Sequence, residues 1–175
     1  LAFDVQSGER AGLADDHLVL ARLLRRSAQI EGARSSLERA RSLWIEGNDD
    51  ARLQIEIAVQ LQIDPQADAD ALGRALLELD AIWERGVAHS LRVQHALLYT
   101  AIERRLGTVQ RAPSLLRASL AHTQEHGLRA QEAACLAALE SVAGPLGGDE
   151  QRRADELRAS LPHWPSDILD ALDLV

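Results

Sequence analysis

Lysine and methionine are absent from the 175 residues of this chain, cysteine occurs once, and aromatic residues make up only 3%. All 19 basic residues are therefore arginine. This bias is typical of a GC-rich bacterial genome, although arginine also binds carboxylates and phosphates better than lysine does. The single cysteine excludes an intrachain disulfide. Because Cys135 stands among small apolar residues, we expect it to pack in a helix core rather than to act as a catalytic thiol.

Charge and hydropathy disfavour two classes of partner. The 27 acidic residues outnumber the 19 basic ones, and the formal net charge of -8 opposes attraction to nucleic acid or to an anionic membrane surface. No apolar run approaches the roughly 18 residues that span a bilayer, and no signal peptide opens the chain. We therefore expect a cytoplasmic domain that binds neither nucleic acid nor a membrane. Because the chain starts at Leu1 without a methionine, we also expect an upstream domain of the same protein.

A short sequence recurs at intervals of about 40 residues. Trp-Ile-Glu-Gly at 44–47 returns as Trp-Glu-Arg-Gly at 83–86, and Glu-His-Gly at 125–127 ends a third segment. Between these points apolar residues recur at three- and four-residue steps, which is the periodicity of helices. A period of this length in a helical sequence is typical of a solenoid, in which each helical hairpin buries its apolar face against its neighbours. The sequence predicts an all-α, right-handed α-solenoid of about four helix-turn-helix hairpins with a C-terminal capping helix.

The predicted domain boundaries follow from this repetition. We expect residues 1–13 to be irregular or to be the tail of an upstream unit. Residues 14–160 are expected to form the helical repeats, each with a helix A and a helix B. Residues 161–175 are expected to form the cap, whose short helix starts with Ser166 as its N-cap residue.

Local signals predict where the helices begin and end. Helix A of repeat 1 is predicted over residues 15–29, because two aspartates at its start suit a helix N-terminus. Pro113 fits the first turn of helix B of repeat 3. Breaks between helices are predicted at Gly32, Gly47, Asp64-Pro65, Gly107, Gly127 and the stretch 144–148.

Repeat 1 matches a known order of small and large residues, and repeat 3 matches it in part, because Thr100 and Ser119 replace small residues there. In repeat 1 the matching residues are Ala21, Ala33, Leu37 and Ala40, and in repeat 3 they are Tyr99, Gly107, Ala112 and Leu116. This order resembles that of the tetratricopeptide family. Repeats 2 and 4 follow it less closely, and Glu103 falls where the family usually has an aromatic residue. The chain resembles the divergent, longer repeats found in bacterial signal-transducing regulators.

The resemblance implies a non-enzymatic interaction or regulatory module of a larger bacterial protein, which binds a peptide or partner helix in a concave groove. The alternative is a small-molecule sensor domain of a signal-transducing ATPase or transcription regulator. An enzyme ranks last, because no paired carboxylates, nucleophile-base pair or phosphate loop is evident. No cofactor is expected.

Arginine pairs stand at equivalent positions late in helix A of repeats 1 and 3. Because helix A faces line the concave groove of tetratricopeptide arrays, the resemblance implies that these guanidinium groups bind carboxylates or phosphates of an acidic partner. The simpler interpretation is that they are solvated and interact with the helix macrodipole. The candidate partner-binding residues are Arg22, Arg25, Arg26, Arg104 and Arg105.

Histidine spacing offers one candidate metal pair. His122 and His126 stand four residues apart, which places both imidazoles on one side of a helix. Zinc sites need three or four ligands, and the other histidines show no metal spacing with each other. We therefore predict a surface pair and no metal site. Trp44 and Trp83, near the ends of successive B helices, are expected to pack in the core rather than to form an aromatic cage.

Overall fold

The structure is a computed structural model that describes residues 2–44 and 50–165. These residues form eight α-helices and one short 3-10 helix, and they contain no β-strand, so the predicted all-α class is confirmed. The solenoid arrangement and its handedness stay predictions. The α-helices are α1 (Ala2–Arg26), α2 (Ile30–Leu43), α3 (Asp50–Ile63), α4 (Ala69–Arg85), α5 (Arg92–Leu106), α6 (Ala112–Glu125), α7 (Arg129–Ala143) and α8 (Gly148–Ser160). The 3-10 helix, His89–Leu91, immediately precedes α5.

The chain divides into an N-terminal unit, Leu1–Ile82, and a C-terminal unit, Trp83–Val175. In the N-terminal unit α1 packs against α2 and α3. The core of this unit is built from small and aliphatic residues of the three helices, and Trp44 and Ile57 pack against it half-buried. Alanine lets the helix backbones approach closely, which fits the small residues predicted for repeat 1. The buried residues of this core are Leu18, Ala21, Leu37, Ala40 and Leu53.

The first helix differs from the prediction at both ends. Residues 2–13, which we expected to be irregular or to be the tail of an upstream unit, are helical and belong to α1. The segment contains no proline, and each of its two isolated glycines costs a helix only about 1 kcal/mol, so nothing in it stops the helix. At the other end α1 stops at Arg26, and the turn that follows holds Ala28 in the left-handed region, with φ 57°.

Gly32, which we predicted to break the chain, lies inside α2. A Cβ atom at this position would lie 3.4 Å from a side-chain methyl of Leu24 on α1. This is an ordinary van der Waals distance, so a side chain could be accommodated here. The single glycine does not end the helix, because it costs a helix interior only about 1 kcal/mol.

In the C-terminal unit α5 packs against α6 and α7, and α7 also packs against α6 and α8. Helices α5 and α7 are buried along most of their length, which fits the small and apolar residues on every side of α7. Gly107 and Gly127 adopt left-handed conformations after α5 and α6, with φ 71° and 66°. Each ends its helix as predicted, since the following amide bonds back to a carbonyl five residues earlier.

Two predicted features, the break at Gly47 and the capping helix from Ser166, lie outside the described residues. Helix α8 ends at Ser160, and residues 161–165 are not helical. Across residues 2–44 and 50–165 no helix combines the length and the apolarity that crossing a bilayer requires.

Candidate functional site

Two of the five candidate arginines bind a carboxylate of the same chain. Arg22 and Arg25 on α1 form ion pairs with Glu56 on α3, whose side chain is fully buried. Arg22 donates from Nε to Oε1 of Glu56 at 2.6 Å, and Arg25 donates to Oε2. A charge taken out of water needs such partners, because an uncompensated buried carboxylate is strongly unfavourable. The two guanidinium groups therefore neutralise Glu56, and a partner's carboxylate would have to compete with it.

The other three candidate arginines are exposed. Arg26 lies at the last residue of α1, and Arg104 and Arg105 lie in the last turn of α5. Arginine in the last turn of a helix interacts favourably with the macrodipole, by roughly 0.3–1 kcal/mol. The two pairs belong to different units of the chain. Of the first pair, Arg25 contacts the buried carboxylate of Glu56, and Arg26 is exposed.

Three histidines meet in the C-terminal unit. His122 and His126 lie near the end of α6, and His89 opens the 3-10 helix before α5. The ring centroids are 4.3 Å apart for His122 and His126, 4.8 Å for His89 and His122, and 5.7 Å for His89 and His126. One ring nitrogen of each histidine lies within 4.8 Å of the other two. We call these three residues the histidine cluster.

The cluster contains a third histidine that sequence spacing did not reveal. His89 stands far from His122 along the chain, in a turn with no helical periodicity, so no spacing rule connects them. The pair on α6 was visible from its four-residue interval, but it is not a surface pair. His122 is buried, whereas His89 and His126 are exposed.

Local packing brings the three side chains together. Val87 is buried in the connection between α4 and α5, and it fixes the segment that carries His89. On α6, apolar residues at three- and four-residue steps are buried, which orients the helix and turns His122 inward. Gly127 then ends α6 directly after His126. The buried apolar residues of α6 are Ala112, Leu115, Leu116 and Leu120.

The protonation of His122 follows from its surroundings. Burial lowers its pKa, and the nearby His126, His89 and Arg92 lower it further, while Glu125 acts in the opposite direction. His122 is therefore a neutral imidazole at pH 7, with one nitrogen that offers a lone pair. A neutral imidazole is the form that binds metal ions.

A hydrogen bond sets the tautomer of His126. Its Nδ1 lies 2.9 Å from the backbone oxygen of His122. A carbonyl oxygen can only accept, so Nδ1 carries the hydrogen when this bond forms. The other ring nitrogen, Nε2, is then left with its lone pair. This arrangement is the usual one for histidines that bind metals, in which a backbone carbonyl orients the ring.

Next to the cluster, Trp83 organises two further side chains. The guanidinium of Arg92 lies 5.2 Å from the Trp83 ring centroid, and the His95 ring lies 5.3 Å from it. His95 is fully buried and Trp83 is half-buried. Trp83 therefore packs within the C-terminal unit and holds Arg92 through a cation-π contact.

No family model matches this chain, and neither a curated protein nor a solved structure matches it.

Proposed function

We propose that this chain is a non-enzymatic interaction module that binds an amphipathic helix of a partner protein on the outer face of α1. The observation that carries the proposal is that α1 has two apolar faces. Ala14, Leu18 and Ala21 form the inner face, which is buried against α2 and α3. On the outer face, four large apolar side chains are 42–56% exposed: Leu13, Val19, Leu20 and Leu23.

The outer residues lie together on the helix. At 100° per residue, these four side chains fall within an arc of about 120°, on the side opposite the buried alanines. Single exposed apolar residues are common on proteins, but a contiguous apolar surface is typical of an interaction site. A helix face with this pattern is complementary to the apolar stripe of another helix.

Charge selects the kind of helix. The exposed side chains of Glu9 and Asp16 belong to the same side of α1 as the apolar residues. Arg22 and Arg25, which could have attracted an acidic partner, are paired with Glu56. The chain as a whole carries a formal charge of -8. A partner helix whose apolar stripe is flanked by Arg or Lys is therefore favoured over an acidic one.

The resemblance of repeat 1 to tetratricopeptide repeats supports the same class of function, because that family binds peptides and helices. In this proposal the domain is a cytoplasmic regulatory module of a larger bacterial protein. Binding at α1 would couple the partner to the rest of that protein.

Designed peptides test the proposal directly. Two labelled amphipathic peptides share one leucine stripe but carry flanking Lys/Arg in one case and Asp/Glu in the other, and their binding is measured by fluorescence anisotropy. We expect the basic peptide to bind at least about tenfold more tightly, since like charges near an interface cost several kcal/mol. Leu20→Glu with Leu23→Glu should remove this binding.

Leu77→Glu is the matched control, because Leu77 on α4 is 69% exposed and lies away from α1. It should leave peptide binding unchanged. Equal binding of both peptides, or equal loss in the control variant, would contradict a specific site on α1. Self-association of the chain that is lost in the Leu20/Leu23 variant would assign the face to a second copy instead.

A further inference from the structure

We infer that His89, His122 and His126 form a binding site for a divalent transition metal ion such as zinc. The inference concerns the C-terminal unit and does not depend on partner binding at α1. It is carried by the convergence of three imidazoles from two separate segments of the chain. Histidines four residues apart on one helix supply two ligands at most. Here His89 on the 3-10 helix supplies a third.

The donor set identifies the class of ion. Imidazole nitrogen suits Zn²⁺, Cu²⁺ and Ni²⁺, whereas Mg²⁺ and Ca²⁺ prefer oxygen ligands. Three histidines with an open fourth position form a known zinc arrangement. The fourth ligand would be water or a donor atom of another molecule. This site is open to such a ligand, because His89 and His126 are exposed.

The distances are close to those of a bound site. Zn–N bonds of 2.0–2.1 Å in a tetrahedral site place the ligand nitrogens about 3.4 Å apart. The nitrogens of the cluster lie within 4.8 Å of one another. Rotation of the exposed His89 side chain can narrow this gap, while burial holds His122 in place and a hydrogen bond to the His122 carbonyl orients His126.

The surroundings orient the ligands and also limit the affinity. The backbone oxygen of His122 accepts the Nδ1–H of His126, so the lone pair of Nε2 is the one available to a metal. Glu125 adds a negative charge next to the cluster, which favours a cation. Arg92 adds a positive charge that opposes it. We therefore expect a site of moderate affinity.

Metal binding would join two segments that are not adjacent in the chain. His89 belongs to the connection between α4 and α5, and the other two ligands belong to the end of α6. An ion that binds the folded state and not the unfolded chain stabilises the fold by mass action. The metal would thus fasten the α4–α5 connection to α6.

Titration of the metal-free chain with zinc tests the site. The chain is dialysed against EDTA and then into metal-free buffer, and ZnCl₂ binding is measured by isothermal titration calorimetry. We expect one ion per chain. With CoCl₂, the visible absorption spectrum of a tetrahedral nitrogen-ligated Co²⁺ ion should appear.

Variants separate a three-ligand site from a helical pair. His89→Ala and His126→Ala each remove one exposed ligand and should each weaken zinc binding at least about tenfold. His163→Ala removes an exposed histidine outside the cluster and is the matched control. Circular dichroism checks that all three variants remain folded.

Several outcomes would overturn the inference. Absence of zinc binding to the folded chain would do so directly. If His126→Ala weakens zinc binding and His89→Ala does not, the ion is bound by the pair on α6 without His89. Equal loss in all three variants, His163→Ala included, would show that zinc binds histidines non-specifically.

Discussion

Arg25 and Glu56 form an ion pair between α1 and α3 in which Glu56 is fully buried and the Arg25 side chain is only 10% exposed. A pair of this kind ties two helices of the N-terminal unit together. Replacing Glu56 leaves Arg25 without its carboxylate, and replacing Arg25 leaves the buried Glu56 with Arg22 as its remaining counterion. Breaking a buried pair in this way typically costs about 3–5 kcal/mol. The pair is therefore more sensitive to substitution than the many exposed ion pairs of this chain.

Arg25→Glu is the sharpest test of this relationship, because it places a second carboxylate beside Glu56. We expect the free energy of unfolding, measured by urea denaturation, to fall by about 3–5 kcal/mol. Arg26→Glu changes the same charge at the next residue, which is exposed, and should cost only about 1 kcal/mol, because it loses the favourable interaction with the helix macrodipole. Similar losses in both variants would mean that the effect comes from net charge and not from the buried pair.

Local signals in the sequence predicted much of the fold. Glycines with positive φ marked the ends of α5 and α6, and helical periodicity identified buried residues such as Ala21 and Leu37. These features depend on neighbours within one or two turns of the same helix. The prediction at Gly32 was wrong, because a single glycine costs a helix only about 1 kcal/mol and packing of the surrounding residues of α2 outweighs it.

The ion pair of Glu56 and the histidine cluster each depend on contacts between segments that are distant in sequence, which a local sequence pattern does not reveal. Glu56 meets Arg25 only because α3 packs against α1, and His89 meets His122 only because the α4–α5 connection lies beside α6. Histidine spacing revealed the part of the cluster that shares one helix. The remainder needed the tertiary structure, since residues in different segments have no fixed sequence interval when they converge.

Glu103 explains one departure from the tetratricopeptide pattern. Its carboxylate accepts hydrogen bonds from the backbone N–H groups of Gln110, Arg111 and Ala112, at 3.1, 3.1 and 2.9 Å. These amides precede or open α6, where helices leave donors without intrahelical partners. A glutamate near the end of α5 thus caps the next helix, which an aromatic residue could not do.

Substitution of Glu103 should expose this capping role. Glu103→Ala leaves these donors without their acceptor, and we expect a loss of about 2–3 kcal/mol in the free energy of unfolding. Glu103→Gln keeps one side-chain oxygen as an acceptor and should cost less. Hydrogen exchange of the Ala112 amide should accelerate more in the alanine variant. Identical losses for the two variants would contradict an acceptor role.

Cys135 is expected to be chemically inert in the folded protein. Burial raises the pKa of its thiol to about 12, and the charge of Glu132 contributes in the same direction. The thiolate is the reactive form, so the fraction available at pH 8 is very small. Ellman's reagent should react slowly with the native chain and with one thiol per chain in guanidinium chloride. Rapid reaction of the native chain would show that α7 opens readily.

Glu132 makes the stability of the C-terminal unit depend on pH. Arg153 donates from Nε to Oε1 and from Nη2 to Oε2 of Glu132, both at 2.8 Å, and Gln124 donates to Oε1 at 3.1 Å. Burial acts to raise the pKa of Glu132, but these hydrogen bonds and the charge of Arg153 outweigh it, so the pKa lies below its ordinary value of 4.5. The folded state therefore binds this proton less readily than the unfolded state does.

The sign of the effect follows from that difference. Glu132 contributes its full stabilisation above pH 4.5, and the contribution is lost as pH falls from there through the lower folded-state pKa. Arg153→Ala should cost about 2–3 kcal/mol at pH 7, measured by urea denaturation. The cost should decrease as pH falls below 4.5, because the unfolded state binds the proton of Glu132 first and the folded state binds it at lower pH. Arg152→Ala, at an exposed neighbouring residue, should cost little at any pH. A cost for Arg153→Ala that stays constant down to pH 3 would mean that the arginine acts through packing and not through the charge of Glu132.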